Sequence, residues 1–180
     1  MPCRGRRVDQ LVEVRWIPPS TCWIKCNTDG AFSTFSSLAT CGIIFRDSRA
    51  NMVGCLAESV VAKSALEVEV LVVIQAVQIA QDHGWMSLWI ETDSLLVIRA
   101  FSYPSLVPCF LYVQWLNMLF HVRQMRLRFS HIFREGNGCA DSLAGFGLRH
   151  IGYHWWSSVP SCIMTAYSRD RGGLPHFRVS

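Results

Sequence analysis

Residues 64–84 read S-A-L-E-V-E-V-L-V-V-I-Q-A-V-Q-I-A-Q-D-H-G. No proline or glycine interrupts the run before Gly84. Ser64 is a natural cap for its start and Gly84 a natural stop, so the pattern predicts a helix over 64–83. Each residue advances about 100° around a helix axis. Measured from Glu67, the polar residues Gln75, Gln78, Gln81 and Asp82 fall between about −40° and +80°. Glu67 lies in that polar arc and is expected in solvent, near the favourable end of the helix dipole. Glu69 falls near about 200°, among Val73, Ala76 and Ala80. A carboxylate in an apolar stripe must be paired, protonated or bound to a cation, unless a rotation of the helix lets it reach water.

Outward from this helix the pattern changes. Upstream, 22–29 (C-W-I-K-C-N-T-D), 39–46 and 52–60 read as three strands joined by tight links, the first ended by Gly30 and the last two separated by the polar turn 47–51. Downstream, 86–91 reads as a strand, and Asp93 opens a helix to about 101. Residues 109–123 read as a helix, 126–133 as a strand and 137–147 as a final helix. The order β-β-β-α-β-α-α-β-α describes an α/β domain with a five-stranded mixed sheet flanked by helices. Residues 1–21 are expected to form a flexible leader, 22–148 the domain and 149–180 a C-terminal tail.

The composition narrows the classes. The chain has 180 residues, 51% hydrophobic and 17% charged, which excludes disorder as the overall state. Seventeen basic and 13 acidic residues give +4, a mild excess that permits nucleic acid without pointing to it. The eight cysteines contain no C-x-x-C pair, so a structural zinc site has no support. No apolar stretch follows the basic N-terminus M-P-C-R-G-R-R, so a secretory signal is not expected. An intracellular location, nucleus or cytoplasm, with reduced thiols follows. The charge-free stretch between Arg99 and Arg123 is broken by Pro104 and Pro108, and what remains is shorter than the ~20 residues a membrane helix needs.

With so few acids, those in apolar surroundings stand out. Asp29 ends an alternating strand, and reads either as a turn residue beside Gly30 or as part of a site. Asp93 stands at a strand–helix junction, where a cap is the simpler alternative. Asp141 lies in the last helix among small neighbours, with a plain surface position as its alternative. If Asp29, Glu69, Asp93 and Asp141 converge at one sheet edge, they need cations. Carboxylate and water oxygens at an open site suit Mg²⁺, with Mn²⁺ as the alternative ion. Two such ions about 4 Å apart serve in-line phosphodiester cleavage.

Five stretches, in this order, carry a family resemblance: W-I-K-C-N-T-D-G-A at 23–31, C-G-I-I-F-R-D at 41–47, S-A-L-E-V-E-V-L at 64–71, I-E-T-D-S at 90–94 and S-H-I-F-R-E-G-N-G-C-A-D-S-L-A at 130–144. The chain resembles ribonuclease H type 1 domains over about 22–148. It is most similar to those at the end of plant retroelement reverse transcriptases. The resemblance implies a ribonuclease H-like fold and a metal-dependent endonuclease that cleaves the RNA strand of RNA–DNA hybrids with two ions. The partner implied is the hybrid, with no membrane and a monomeric state. By the same resemblance Asp29, Glu69, Asp93 and Asp141 hold the metals and His131 assists proton transfer or product release. Gly30 and Asn137 lie near the substrate. A strand histidine packed by Phe129 and Phe133 is the simpler reading of His131, and a helix cap that of Asn137.

Two departures stand beside it. The loop after Asp29, F-S-T-F-S-S-L at 32–38, lacks the family's glycines, and 100–122 lacks its basic handle. A catalytically inactive nucleic-acid-binding or interaction module of retroelement origin is therefore the alternative.

Overall fold

The structure, a computed structural model, describes residues 11–179. Its strands are β1 (Leu11–Val14), β2 (Ile24–Ser33), β3 (Leu38–Arg46), β4 (Met52–Val60), β5 (Ser87–Thr92), β6 (Arg126–His131), β7 (Tyr153–Trp156) and β8 (His176–Val179). Its α-helices are α1 (Ala65–Asp82), α2 (Leu95–Ser102), α3 (Tyr112–Val122), α4 (Gly138–Arg149) and α5 (Met164–Arg171). The sequence-predicted elements between 22 and 148 are all present.

The main sheet has six strands, in the order β6-β5-β2-β3-β4-β7, not five. The meander β2-β3-β4 is antiparallel, and β5 and β6 join β2 in parallel. The added strand, β7, pairs antiparallel with β4. It gave no alternating signal because Trp155 packs with the core on one face and Trp156 with that on the other. On the α1 face, Cys41, Ile43, Phe45, Leu56, Leu88 and Ile90 meet Val68, Val72, Val73 and Ala76 of α1 and Trp115 of α3. The opposite face packs Ile44, Cys55 and Ala57 against Leu143 of α4 and Tyr167 of α5. Gly42 sets how close α4 can come, because a Cβ there would lie 2.3 Å from the Ala140 carbonyl oxygen.

Several expectations are corrected. β2 does not end at Gly30 but continues to Ser33, held by pairing with Leu38–Cys41. The helix after β5 begins at Leu95 with Ser94 at its cap position, not at Asp93. Glu67 is buried, not solvated, and its side chain accepts a hydrogen bond from the backbone N–H of Lys63 while Ser64 Oγ accepts from Glu67 N. That local capping arrangement outweighs the wheel position.

The leader and tail are also built into the structure where it is described. β1 and β8 form a second, two-stranded antiparallel sheet, Leu11 opposite Val179 and Val14 opposite His176. Trp16 is 2% exposed. Residues 1–10 of the expected leader lie outside the described residues. Among the described residues no helix is long and apolar enough to cross a membrane.

Candidate active site

Sheet register creates the first pairing. Thr28 of β2 lies opposite Thr92 of β5 in parallel, so Asp29 and Asp93 follow side by side at the same sheet edge. Helix α1 supplies the third group. A Cβ on Gly30 would lie 2.9 Å from Val68 Cγ1 and 3.0 Å from the backbone nitrogen of Glu69. Only glycine lets the first turns of α1 approach β2 so closely, and that approach brings Glu69 to Asp29. One carboxylate oxygen from each of Asp29, Glu69 and Asp93 lies within 4.8 Å of the others.

These three line an open cleft of about 490 Å³ with Gly30, Phe32, Arg134 and Asp141. Asp141 stands outside the close trio. Its Oδ1 accepts a 2.7 Å hydrogen bond from the exposed Arg134 guanidinium.

The electrostatics follow from like charges in a half-dry place. Burial, and then repulsion from Asp93 and Asp141, raises the Asp29 pKa to about 7. Burial, with Asp29 and Asp93 beside it, raises Glu69 to about 9. Asp93 is also raised, chiefly by burial, although Arg134 opposes the shift. Glu69 Oε2 is buried without a hydrogen-bond partner. An orphaned, buried oxygen on one of three clustered carboxylates fits a hard divalent cation, which would replace the missing donors and remove the repulsion.

The other expected site residues separate. His131 ends β6 opposite Thr92, exposed, with its ring edge-on to Phe133 at 5.3 Å. It adjoins the Asp93 strand end but does not line the carboxylate cleft. Asn137, expected near the substrate, is built into the interior behind the site. It is 1% exposed, donates to the Thr28 carbonyl at 2.9 Å and accepts from Asn27 Nδ2 at 3.2 Å. It ties the start of α4 to β2, and its side chain does not cap the helix.

Two features escaped the sequence reading. One is Arg134, whose signal was its position in the R-E-G-N run before Asp141. The other is a buried polar network behind the site. Lys25 Nζ lies 2.8 Å from Glu91 Oε1, and Arg46 lies 2.6 Å from Asp170 Oδ2. Asn27 joins them, donating to Glu91 at 3.0 Å and accepting from Arg46 at 2.6 Å and Trp16 Nε1 at 2.8 Å. Charged and amide residues alternating with Cys26 in β2 were the available signal.

The family described as reverse transcriptase-like matches residues 27–147. A protein of Arabidopsis thaliana, provisionally named a ribonuclease H protein, is 26% identical over 179 residues, or 93% of this chain. The chain spans 27% of that relative's length. Among solved structures, RNase H1 from the halophilic archaeon Halobacterium salinarum NRC-1 superimposes with a TM-score of 0.61. It shares 20% identity and covers 71% of this chain and 98% of its own. LC11-RNase H1 in complex with an RNA/DNA hybrid gives 0.60 at 21% identity, covering 68% of this chain and 94% of its own. These structural likenesses establish the ribonuclease H-like fold. With two thirds of its length inside the family match, the chain belongs to the reverse transcriptase-like family.

Proposed function

We propose that the protein is a divalent-cation-dependent ribonuclease that cleaves the RNA strand of RNA–DNA hybrids. The observation that carries the reading is the trio Asp29, Glu69 and Asp93, one oxygen of each within 4.8 Å of the others, with Glu69 Oε2 buried and unpartnered. The hybrid seen on LC11-RNase H1, a protein of the same fold, supports the substrate class.

In this reading Asp29, Glu69 and Asp93 would hold Mg²⁺ or Mn²⁺, and Asp141 would complete the site for a second ion. When bound, the ions supply an activated water and stabilise the leaving oxygen. The chain's own groups do the rest. Gly30, with no side chain, lets Glu69 come to Asp29. His131, beside the Asp93 strand end, would carry a proton between the site and solvent. Arg134 pairs with Asp141 at the mouth of the cleft.

The test is cleavage of a labelled hybrid with Mg²⁺, with Mn²⁺ and with chelator, beside Glu69→Gln. Ion-dependent cleavage lost in the variant supports the reading. A folded wild-type protein that binds ion and hybrid but never cuts would instead support a catalytically inactive nucleic-acid-binding module. One observation favours that second reading, namely that Asp141 is engaged by Arg134 and stands outside the trio.

A further inference from the structure

No acidic residue occurs between Asp93 and Glu135, a stretch that carries Arg99, Arg123, Arg126, Arg128 and Arg134. The family's basic handle is absent from 100–122, yet arginines gather just beyond it, on β6. This strand is the exposed edge of the six-stranded sheet. Arg126 and Arg128 are two residues apart, so both project from one face, about 7 Å apart along the strand. Both are exposed.

Each is parked on an aromatic ring. The Arg128 guanidinium lies 4.1 Å from the Trp89 ring centre, and Arg126 lies 5.7 Å from that of Trp23. The pattern repeats past the end of β6, where Arg178 of β8 lies 4.6 Å from the Phe133 ring centre. Strand β8 packs on the turn at 134–136, which leads to Arg134 at the mouth of the carboxylate cleft. Among the described residues, neither Arg128 nor Arg178 has a carboxylate partner within salt-bridge distance. A guanidinium held over a ring keeps N–H donors for other partners, although Arg126 already gives its Nε–H to Ser87 Oγ at 2.9 Å. Rings that fix such a side chain reduce the freedom lost when it binds. A planar fork held this way suits phosphate oxygens.

We propose that the Arg126, Arg128 and Arg178 stacks form a second nucleic-acid contact that grips the phosphodiester backbone of the hybrid outside the cleft. It takes the place of the missing basic handle and rests on the ribonuclease reading. The contact is to backbone charge, so it carries no base preference.

The test is binding of a fluorescently labelled RNA–DNA hybrid, with chelator present so that no strand is cut, across a salt series. Wild type is compared with Arg128→Gln/Arg178→Gln and with Arg128→Lys/Arg178→Lys, after thermal melts confirm that each is folded. Removing two phosphate-binding charges should lower the slope of log affinity against log salt by about 1.4–1.8. Affinity of the glutamine variant should fall at least tenfold at low salt, and the lysine variant should keep most of the slope. A glutamine variant that binds with wild-type affinity and slope overturns the surface while leaving the ribonuclease reading intact. A folded lysine variant as weak as the glutamine one also overturns it, since packing and not charge would then be at work. Wild-type protein that binds no hybrid at any salt overturns both, and binding to an acidic protein instead would identify a different partner for the arginines.

Discussion

Lys25 and Glu91 meet across adjacent parallel strands with 2.8 Å between Nζ and Oε1, and both are buried. Burial lowers the pKa of the Lys25 ammonium, and the Glu91 carboxylate opposes that shift. Glu91 precedes Asp93 by two residues, so this pair anchors the strand that delivers a site carboxylate. Lys25→Met would leave Glu91 buried with only amide and hydroxyl partners. The expected loss is about 3–5 kcal/mol of stability, read from denaturant unfolding. A loss below about 1 kcal/mol would mean that Asn27 and Ser130 suffice to hold the carboxylate.

The cluster of raised carboxylates makes stability depend on pH. Asp29, Glu69 and Asp93 all have folded pKa values above their unfolded ones, near about 7 and 9 for the first two. Their contribution is fully present below about pH 4, where both states are protonated, and is lost as pH rises through the folded values. Without metal, the thermal midpoint should therefore fall between about pH 5 and about pH 9. Mn²⁺ should reverse most of the fall, because it binds the ionised form and releases protons. A midpoint that ignores pH, or Mn²⁺ that stabilises equally at both ends, would contradict the clustering.

Removing one charge from the trio should separate stability from activity. Asp29→Asn is expected to gain about 1–3 kcal/mol at pH 8 in chelator. The same change should abolish ion-dependent cleavage. Calorimetry and the hybrid assay on one preparation check both halves.

In the proposed reading, Arg134 and a cation would compete for Asp141. The Arg134–Asp141 pair is exposed, so its strength is modest. Arg134→Gln should bind Mn²⁺ about two- to fivefold more tightly, matching an exposed pair of up to about 1 kcal/mol. Titration calorimetry reads this without any substrate, and weaker binding in the variant would show that the guanidinium supports the ion.

Gly30→Ala tests the close approach of α1. The added Cβ would press on the Glu69 backbone, which cannot yield as a side-chain tip could. A cost of about 1–3 kcal/mol should come with weaker Mn²⁺ binding, since Glu69 moves away from Asp29.

Much of this architecture was legible because its elements are long and periodic. The run 64–83 gave α1 to within a residue at each end, and alternation gave β2, β3 and β4. The wheel put Glu69 on the inward stripe, where the structure sets it near Asp29 and Asp93, but misplaced Glu67, since a wheel describes faces and not the capping geometry of a first turn. Four-residue strands were out of reach. β1 and β8 exist only because they find each other from opposite ends of the chain, and neither has a pattern of its own. Of the site, three carboxylates came together as expected, while the hold of Arg134 on Asp141 depends on a short turn whose signal is no more than the R-E-G-N run. The bond from Asn137 to the Thr28 carbonyl was not legible, because an amide before a helix looks the same whatever it faces.

The small β1–β8 sheet also decides how the molecule bears tension. Leu11 and Val179 are partners at the same end of an antiparallel ladder. A pull on the two ends of the described chain therefore loads the ladder one hydrogen bond at a time, as a zipper opens, and not all bonds together in shear. The clasp should peel at low force, exposing Trp16 and Asp170 before the six-stranded sheet carries any load.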